Sequence, residues 1–223
     1  MIYSPAILTG HGRPFRQKKT YLIQRMYLLP GANKKMAQAK SLSPAELDAL
    51  MEFVSQRSYA TRNRLILSFG FHAGMRVGEI ASLTIGDVMN ADGTVKTEVR
   101  LTAEQTKGRH PRTVFMPQRL QTELQTYLDL RQPTNPAHPL FVTAGRRAFT
   151  ANVMTQKLFW LYRAAGISGA SSHSGRRTFI TNLASKGISV RVLASLAGHR
   201  SIAVTQKYID VNDDMKRNAV ELA

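Results

Sequence analysis

Cysteine is absent from this chain of 223 residues. The absence excludes disulfides, a cysteine nucleophile and any thiolate metal site, and it is typical of a cytoplasmic protein. Long apolar runs are missing too. The longest mostly apolar stretch without Asp, Glu, Lys or Arg is residues 65–75, whereas a membrane helix needs about 20 apolar residues. The first residues also lack a signal-peptide pattern, so we expect a cytoplasmic protein without a membrane partner.

Acidic residues are scarce. The chain has 14 Asp and Glu against 31 Lys and Arg, a formal net charge of +17. Such an excess destabilises a compact monomer through self-repulsion and is typical of proteins that bind a polyanion. Nucleic acid is the favoured partner, because neutralising phosphates releases condensed counterions. A solubility role or association with the ribosome is the alternative, and an anionic membrane is disfavoured because no basic amphipathic helix stands out.

Periodicity and capping signals predict a mostly α-helical domain with one small antiparallel β-sheet, an α+β class. Ser43-Pro44-Ala45-Glu46 is a capping box with proline at the first helical position, so a helix begins there. Alternation over residues 94–102 and the return over residues 112–116 predict two paired strands. The other predicted elements are helices over residues 60–72, 77–83, 117–130, 150–165, 175–186, 189–197 and 201–209.

Three cationic residues stand beside turn or cap signals. Arg76 follows Gly74 where one predicted helix ends and the next begins, and a helix N-terminus favours an anion. Lys107 lies at the tip of the predicted hairpin, from which a lysine can reach a substrate. Arg176 and His173 share one face at a predicted helix start. Each residue taken singly is more often a solvated or structural one.

The order and spacing of the candidates change that interpretation. His199 follows Gly198 at a predicted helix junction, and Tyr208 comes at the end of the next helix. The series Arg…Lys…His-x-x-Arg…Gly-His…Tyr resembles the catalytic domain of the tyrosine recombinases, which include phage integrases, Xer-type resolvases and fimbrial-switch invertases. The strings at residues 74–80 and 196–208 also match, and the resemblance covers residues 41–210.

The resemblance implies the fold of that catalytic domain. It also implies a site-specific recombinase of bacterial, phage or plasmid origin, which cleaves and rejoins double-stranded DNA through a 3′-phosphotyrosyl intermediate. The output is the integration, excision, inversion or resolution typical of mobile elements. Arg76 and Arg176 would hold the non-bridging phosphate oxygens, which planar guanidiniums can do bidentately. His199 would donate a further hydrogen bond to the charge that develops at phosphorus.

The resemblance also assigns the groups that form and break bonds. Tyr208 is the nucleophile, and because a tyrosine has an ordinary pKa of about 10, it needs a base or a positive field. His173 is the proton acceptor, and Lys107 protonates the departing 5′ oxygen. No ATP or other cofactor is implied, because the phosphotyrosyl bond conserves the energy. No metal is implied either, because no cluster of His, Asp and Glu stands out.

Four residues are expected to support these groups or to bind DNA phosphates. Glu79 matches the family's Gly-x-Arg-x-x-Glu string, and Arg109, Arg177 and Arg200 lie beside the catalytic candidates. The family more often has His at the position of Arg177 and Leu at that of Gly175. A glycine near a helix start costs little, so we expect an intact site.

The ends of the chain have separate interpretations. Residues 1–40 contain eight Lys or Arg and no Asp or Glu, which predicts a basic, partly disordered arm that contacts DNA. Such an arm is too short for the helical DNA-clamping domain of most family members. This predicts either a short member or an excised catalytic fragment, and an accessory DNA-binding protein could supply the grip. For residues 211–223 three interpretations stay open: docking on the same domain, docking on a neighbouring protomer, and disorder. The family's reaction uses a homotetramer on two DNA sites.

Two alternative functions keep the same fold. One is a DNA-binding or architectural protein that has lost activity. The presence of the expected residue at all six catalytic positions argues against it. The other is a type IB topoisomerase or telomere resolvase, which shares the chemistry but acts on a single site.

Overall fold

The computed structural model describes residues 38–209, 216–217 and 220–221. The predicted arm over residues 1–40, apart from 38–40, lies outside the described residues. So does the predicted tail over residues 211–223, apart from 216–217 and 220–221. Interpretations of those two segments therefore stay predictions.

The described part of the chain is mostly helical with one two-stranded antiparallel sheet, as predicted. In chain order the elements are α1 Pro44–Ser55, α2 Ala60–Ala73, α3 Val77–Ala81, α4 Ile85–Val88, β1 Glu98–Leu101, β2 Arg112–Phe115, α5 Gln118–Arg131, α6 Ala151–Ala164, α7 Ser174–Ser185, α8 Val190–Ala197 and α9 Ile202–Gln206. Within these residues no helix combines the length and hydropathy needed to cross a membrane.

Helix α1 begins at the predicted capping box. The Ser43 hydroxyl accepts from the backbone N–H of Glu46 at 3.2 Å, and the Glu46 carboxylate accepts from the backbone N–H of Ser43 at 3.1 Å. Both donors would otherwise lack a partner at the helix end. The segment just before α1 is attached to α7, because the backbone N–H of Leu42 donates to the Thr178 hydroxyl at 2.9 Å.

Helix α2 is the centre of the fold. It is buried along most of its length and packs against α5 and α7. The crossing with α7 is close, since a Cβ on Gly175 would lie 3.1 Å from the carbonyl carbon of Gly70. Gly175 therefore has a packing role beyond its position near a helix start. The two glycines bring the first turn of α7 next to the end of α2.

The sheet is smaller than predicted. Strand β1 covers only Glu98–Leu101 of the predicted span 94–102, because Val95 forms an isolated bridge with Met89 instead. Leu101 of β1 is paired with Arg112 of β2, so the loop that contains Lys107 closes directly above this pair. Helix α9 is also shorter than the predicted span 201–209. Helix α4 was not predicted.

Candidate active site

Arg76 stands at the N-cap of α3. The preceding turn requires Gly74, whose φ is 60° and whose missing Cβ would lie 2.5 Å from the Phe179 ring. The Arg76 guanidinium donates from Nη1 to Glu79 Oε1 at 2.8 Å and from Nη2 to the Gly198 carbonyl at 3.3 Å. Its side chain keeps 26% exposure. The guanidinium is thus oriented from two sides and still open to a ligand.

Arg176 lies in the first turn of α7, with 6% of its surface exposed. Its Nη1 donates to the Gly74 carbonyl at 2.7 Å, and its Nη2 donates to the Ala197 carbonyl. Burial, and then the positive charges of Arg76 and Arg112, lower the pKa of Arg176 to about 9. The group is still a cation at neutral pH, and it joins the ends of α2 and α8.

His199 and Tyr208 face each other after α8. Gly198 ends that helix with φ 58°, and His199 follows it. The His199 Nδ1 is 2.8 Å from the hydroxyl of Thr205, which is fully buried, and its ring stacks on the Tyr208 ring at 5.8 Å and 21°. Burial, and then nearby arginines, Arg176 first, lower the pKa of His199 to about 4. The imidazole is therefore neutral at neutral pH.

One cavity of about 490 Å³ brings the six catalytic candidates together. The candidates among its lining residues are Arg76, Lys107, His173, Arg176, His199 and Tyr208. His173 reaches the cavity from the N-cap of α7. Burial, and then the positive charges of Lys107 and Arg176, lower its pKa below the ordinary 6.5. A neutral imidazole and a tyrosine thus border the same space as two guanidiniums.

The three remaining arginine candidates differ in their distance from this cavity. Arg177 lines the same cavity, with its Cζ 5.3 Å from the centre of the Tyr208 ring, and it donates to the Gln38 side chain. Arg200 lines an adjoining cavity of about 580 Å³. Arg109 is exposed on the Lys107 loop and borders neither cavity. Arg177 and Arg200 therefore lie at the site, and Arg109 lies outside it.

Glu79 has a second partner that was not predicted. Its carboxylate, 1% exposed, accepts from Arg112 Nε at 3.2 Å and Arg112 Nη2 at 2.6 Å. Burial raises the pKa of Glu79, but hydrogen bonds and charge from Arg112 and Arg76 outweigh it, so the net shift is downward. Arg112 lies two residues before the buried Val114, so both side chains lie on the same, inward face of β2. That spacing is a signal in the sequence that Arg112 faces the core, but it does not identify Glu79 as the partner.

The charges around the cavity suit an anion. The carboxylate of Glu79 is shared by Arg76 and Arg112, which leaves Arg176 and Lys107 without a carboxylate partner within the described residues. Over the same residues no three His, Asp or Glu side chains group in a way that could hold a metal ion. An excess of guanidinium with directed N–H groups is the arrangement that binds a phosphate diester.

Comparisons of the sequence with known proteins point to one family. The phage integrase family model matches residues 40–215. The tyrosine recombinase XerA of Pyrococcus furiosus is 33% identical over 82% of this chain and 62% of its own length. The XerC recombinase of Pelobacter propionicus is 32% identical over 74% of this chain and 53% of its own length. The chain thus spans less than two thirds of the curated relatives that it matches.

Comparisons of the structure agree with the sequence matches. The crystal structure of a XerA recombinase aligns with a TM-score of 0.66 at 30% identity, over 82% of this chain and 64% of that one. The Tn1549 transposon integrase, solved in complex with a circular intermediate DNA, aligns with a TM-score of 0.66 at 19% identity, over 86% of this chain and 68% of that one. At that identity the second match shows a shared fold.

Proposed function

The chain belongs to the phage integrase family, and from this premise we propose that it is a site-specific DNA recombinase acting through a Tyr208–DNA bond. One observation carries the proposal. The residues that line a single cavity include all six catalytic candidates, and their order along the chain is the one found in the family's motif. The net charge of +17 supports double-stranded DNA as the partner.

The two arginines bind the scissile phosphate in this proposal. The guanidiniums of Arg76 and Arg176 are each fixed by a backbone carbonyl, at Gly198 and Gly74 respectively. Their remaining N–H groups bind the non-bridging oxygens. Donors that are fixed before the reaction need no reorganisation when negative charge develops at phosphorus, which lowers the barrier.

Tyr208 is the nucleophile. Its Oη attacks phosphorus and its proton passes to His173, which borders the same cavity and is neutral at pH 7. When the Thr205 hydroxyl donates to the Nδ1 of His199, the hydrogen of that neutral imidazole lies on Nε2. His199 then donates from Nε2 to a non-bridging oxygen of the phosphate.

Lys107 completes the exchange. As the Tyr208 Oη–phosphorus bond forms, the bond from phosphorus to the 5′ oxygen breaks, and Lys107 gives a proton to that oxygen. The phosphate stays on Tyr208 with its energy conserved, so a 5′ hydroxyl from a second site reverses the steps and joins new strands. This cycle requires no ATP, cofactor or metal.

Recombination between two sites needs four such nucleophiles, so the proposal includes a homotetramer on two DNA sites. Residues 1–40 serve as a basic DNA-contacting arm. An accessory DNA-binding protein adds DNA affinity where the arm alone binds too weakly. For residues 211–223 the three interpretations given in the sequence analysis stay open. The catalytic domain covers residues 41–210.

The experiment is covalent capture on DNA. The protein is incubated with nicked, sheared DNA from its source replicon, denatured in SDS, and the DNA that stays attached is sequenced. Tyr208→Phe is the matched control, since it removes only the hydroxyl. We expect an adduct at one sequence, absent from the variant, with DNA binding equal in both. Adducts in the variant would remove Tyr208 from its role. Binding without any adduct would favour an inactive DNA-binding protein, and relaxation of supercoiled DNA without joining of two sites would favour a topoisomerase.

A further inference from the structure

Arg112 joins three elements that meet at the cavity. It is the first residue of β2 and is paired with Leu101, the last residue of β1, so it forms the base of the loop that contains Lys107. Its side chain has 9% exposure. The guanidinium donates to Glu79 of α3, as described above, and from Nη1 to the Leu196 carbonyl of α8 at 2.9 Å.

The fit between Arg112 and the end of α8 is close. A Cβ on Gly198 would lie 2.6 Å from the Arg112 Cδ and 3.3 Å from its Nε. The residue before His199 therefore makes room for this arginine stem. With one flank on the carboxylate and the other on a carbonyl, the guanidinium has little freedom to turn toward DNA.

The same carboxylate connects Arg112 to Arg76. Glu79 also accepts from the Arg76 backbone N–H and from its Nη1, each at 2.8 Å. Those two bonds do not involve Arg112, so Arg76 keeps its partner when Arg112 is replaced. The strands stay packed in the core through Leu101 and Val114. The loop keeps an outer attachment, where the Gln105 amide donates to Asp87 at 2.9 Å and to the Ser82 carbonyl at 3.3 Å. Loss of Arg112 therefore acts first on the loop that contains Lys107.

We infer that Arg112 is a positioning residue for the Lys107 loop: it anchors the base of that loop to Glu79 and to the Leu196 carbonyl. This inference rests on the proposed function. The acid and the phosphate clamp then share one anchor, so the proton is delivered at the place where the clamp holds the phosphate. A displacement of about 1 Å in such an arrangement can cost on the order of 100-fold in rate.

The test uses a leaving group that needs no acid. A duplex oligonucleotide carrying the site recovered by adduct sequencing is made with either oxygen or sulfur as the 5′-bridging atom of the scissile phosphate. With sulfur, the phosphorus–sulfur bond breaks and the electron pair leaves as a thiolate. Since a thiol has a far lower pKa than an alcohol, the thiolate departs without Lys107.

We expect Arg112→Met to cleave the oxygen substrate about 100-fold more slowly than the wild type. On the sulfur substrate it should come within about tenfold of the wild type, because the general-acid step is bypassed. Arg112→Lys keeps the charge but cannot bridge Glu79 and Leu196 with one planar group, so it should show the same recovery. Lys107→Ala is the positive control for recovery. Arg100→Met is the matched control, because Arg100 of β1 is 84% exposed. This variant should cleave both substrates at wild-type rates.

Equal losses by both Arg112 variants on the two substrates would overturn the inference, as would cleavage by Arg112→Lys at the wild-type rate. DNA affinity and the melting temperature identify a variant that has failed to fold. If Arg112→Met fails to fold, Arg112→Lys tests the inference, because it keeps a cation beside Glu79. The proposed function fails separately: in that case the wild type forms no Tyr208 adduct with either substrate.

Discussion

Replacing Glu79 by glutamine tests the electrostatic centre of the site. The carboxylate accepts four hydrogen bonds, two from Arg76 and two from Arg112. Glutamine has almost the same shape, but it carries no charge. Its amide also directs two N–H groups toward guanidiniums, which have no hydrogen-bond acceptor. The substitution therefore leaves two cations close together with no anion between them.

The magnitude follows from burial. Removing one member of a buried ion pair costs about 3–5 kcal/mol. Arg76 is 26% exposed, so water replaces part of what it loses, whereas Arg112 is 9% exposed and gains little. We therefore expect the lower end, about 3 kcal/mol. For a chain of this length that corresponds to a fall in Tm of about 6–12 °C.

The free energy of unfolding is measured by urea denaturation, with Glu98→Gln as the matched control. Glu98 pairs with Arg100 at the surface, where side-chain exposures are 36% and 84%, so that loss should stay below about 1 kcal/mol. The lowered pKa of Glu79 also fixes a pH dependence. Its stabilisation is complete above the ordinary value of 4.5 and is lost as the pH falls through the lower folded-state pKa. The difference in the free energy of unfolding between the wild type and Glu79→Gln should therefore become smaller as the pH falls. Equal losses in the free energy of unfolding for the two variants at pH 7 would contradict the role of Glu79 as a buried partner of two arginines.

Three further predictions concern the clamp, the turn and the base. Arg176→Lys should lower kcat by about 100-fold or more with little change in DNA affinity, since a lysine cannot donate to both backbone carbonyls and to phosphate; an unchanged kcat would remove Arg176 from the clamp. Gly74→Ala should lower the free energy of unfolding by about 2 kcal/mol, because its Cβ meets the Phe179 ring at φ 60°; a neutral effect in urea denaturation would contradict the packing. The acid limb of the kcat/KM profile should lie below pH 6.5 and disappear in His173→Gln, because burial and neighbouring cations lower the His173 pKa; a limb above pH 6.5 would exclude this base.

Local signals in the sequence predicted several features of the fold correctly. The capping box at Ser43 fixed the start of α1, and the glycines before Arg76 and His199 marked the helix ends at which those side chains lie. The cavity then brings together residues that the order of the motifs had already singled out. These features depend on a few neighbouring residues, so the sequence carries them directly.

The contacts that the sequence did not predict depend on tertiary packing. Arg112 finds Glu79 and Leu196 only after the hairpin folds against α3 and α8, and no motif around it marks that contact. The need for Gly175 comes from Gly70, far away along the chain. Helix α4 is a different case, because its capping pair, Thr84 and Asp87, is a local signal that the sequence contains.

The residue that becomes joined to DNA can be identified directly. The SDS-stable adduct is digested with nuclease and trypsin, and the modified peptide is sequenced by mass spectrometry. We predict a 3′-linked nucleotide on Tyr208, within the tryptic peptide over residues 208–216, or over residues 201–216 where the modification blocks cleavage after Lys207. A nucleotide on any other side chain, or one linked through its 5′ phosphate, would contradict the proposed reaction.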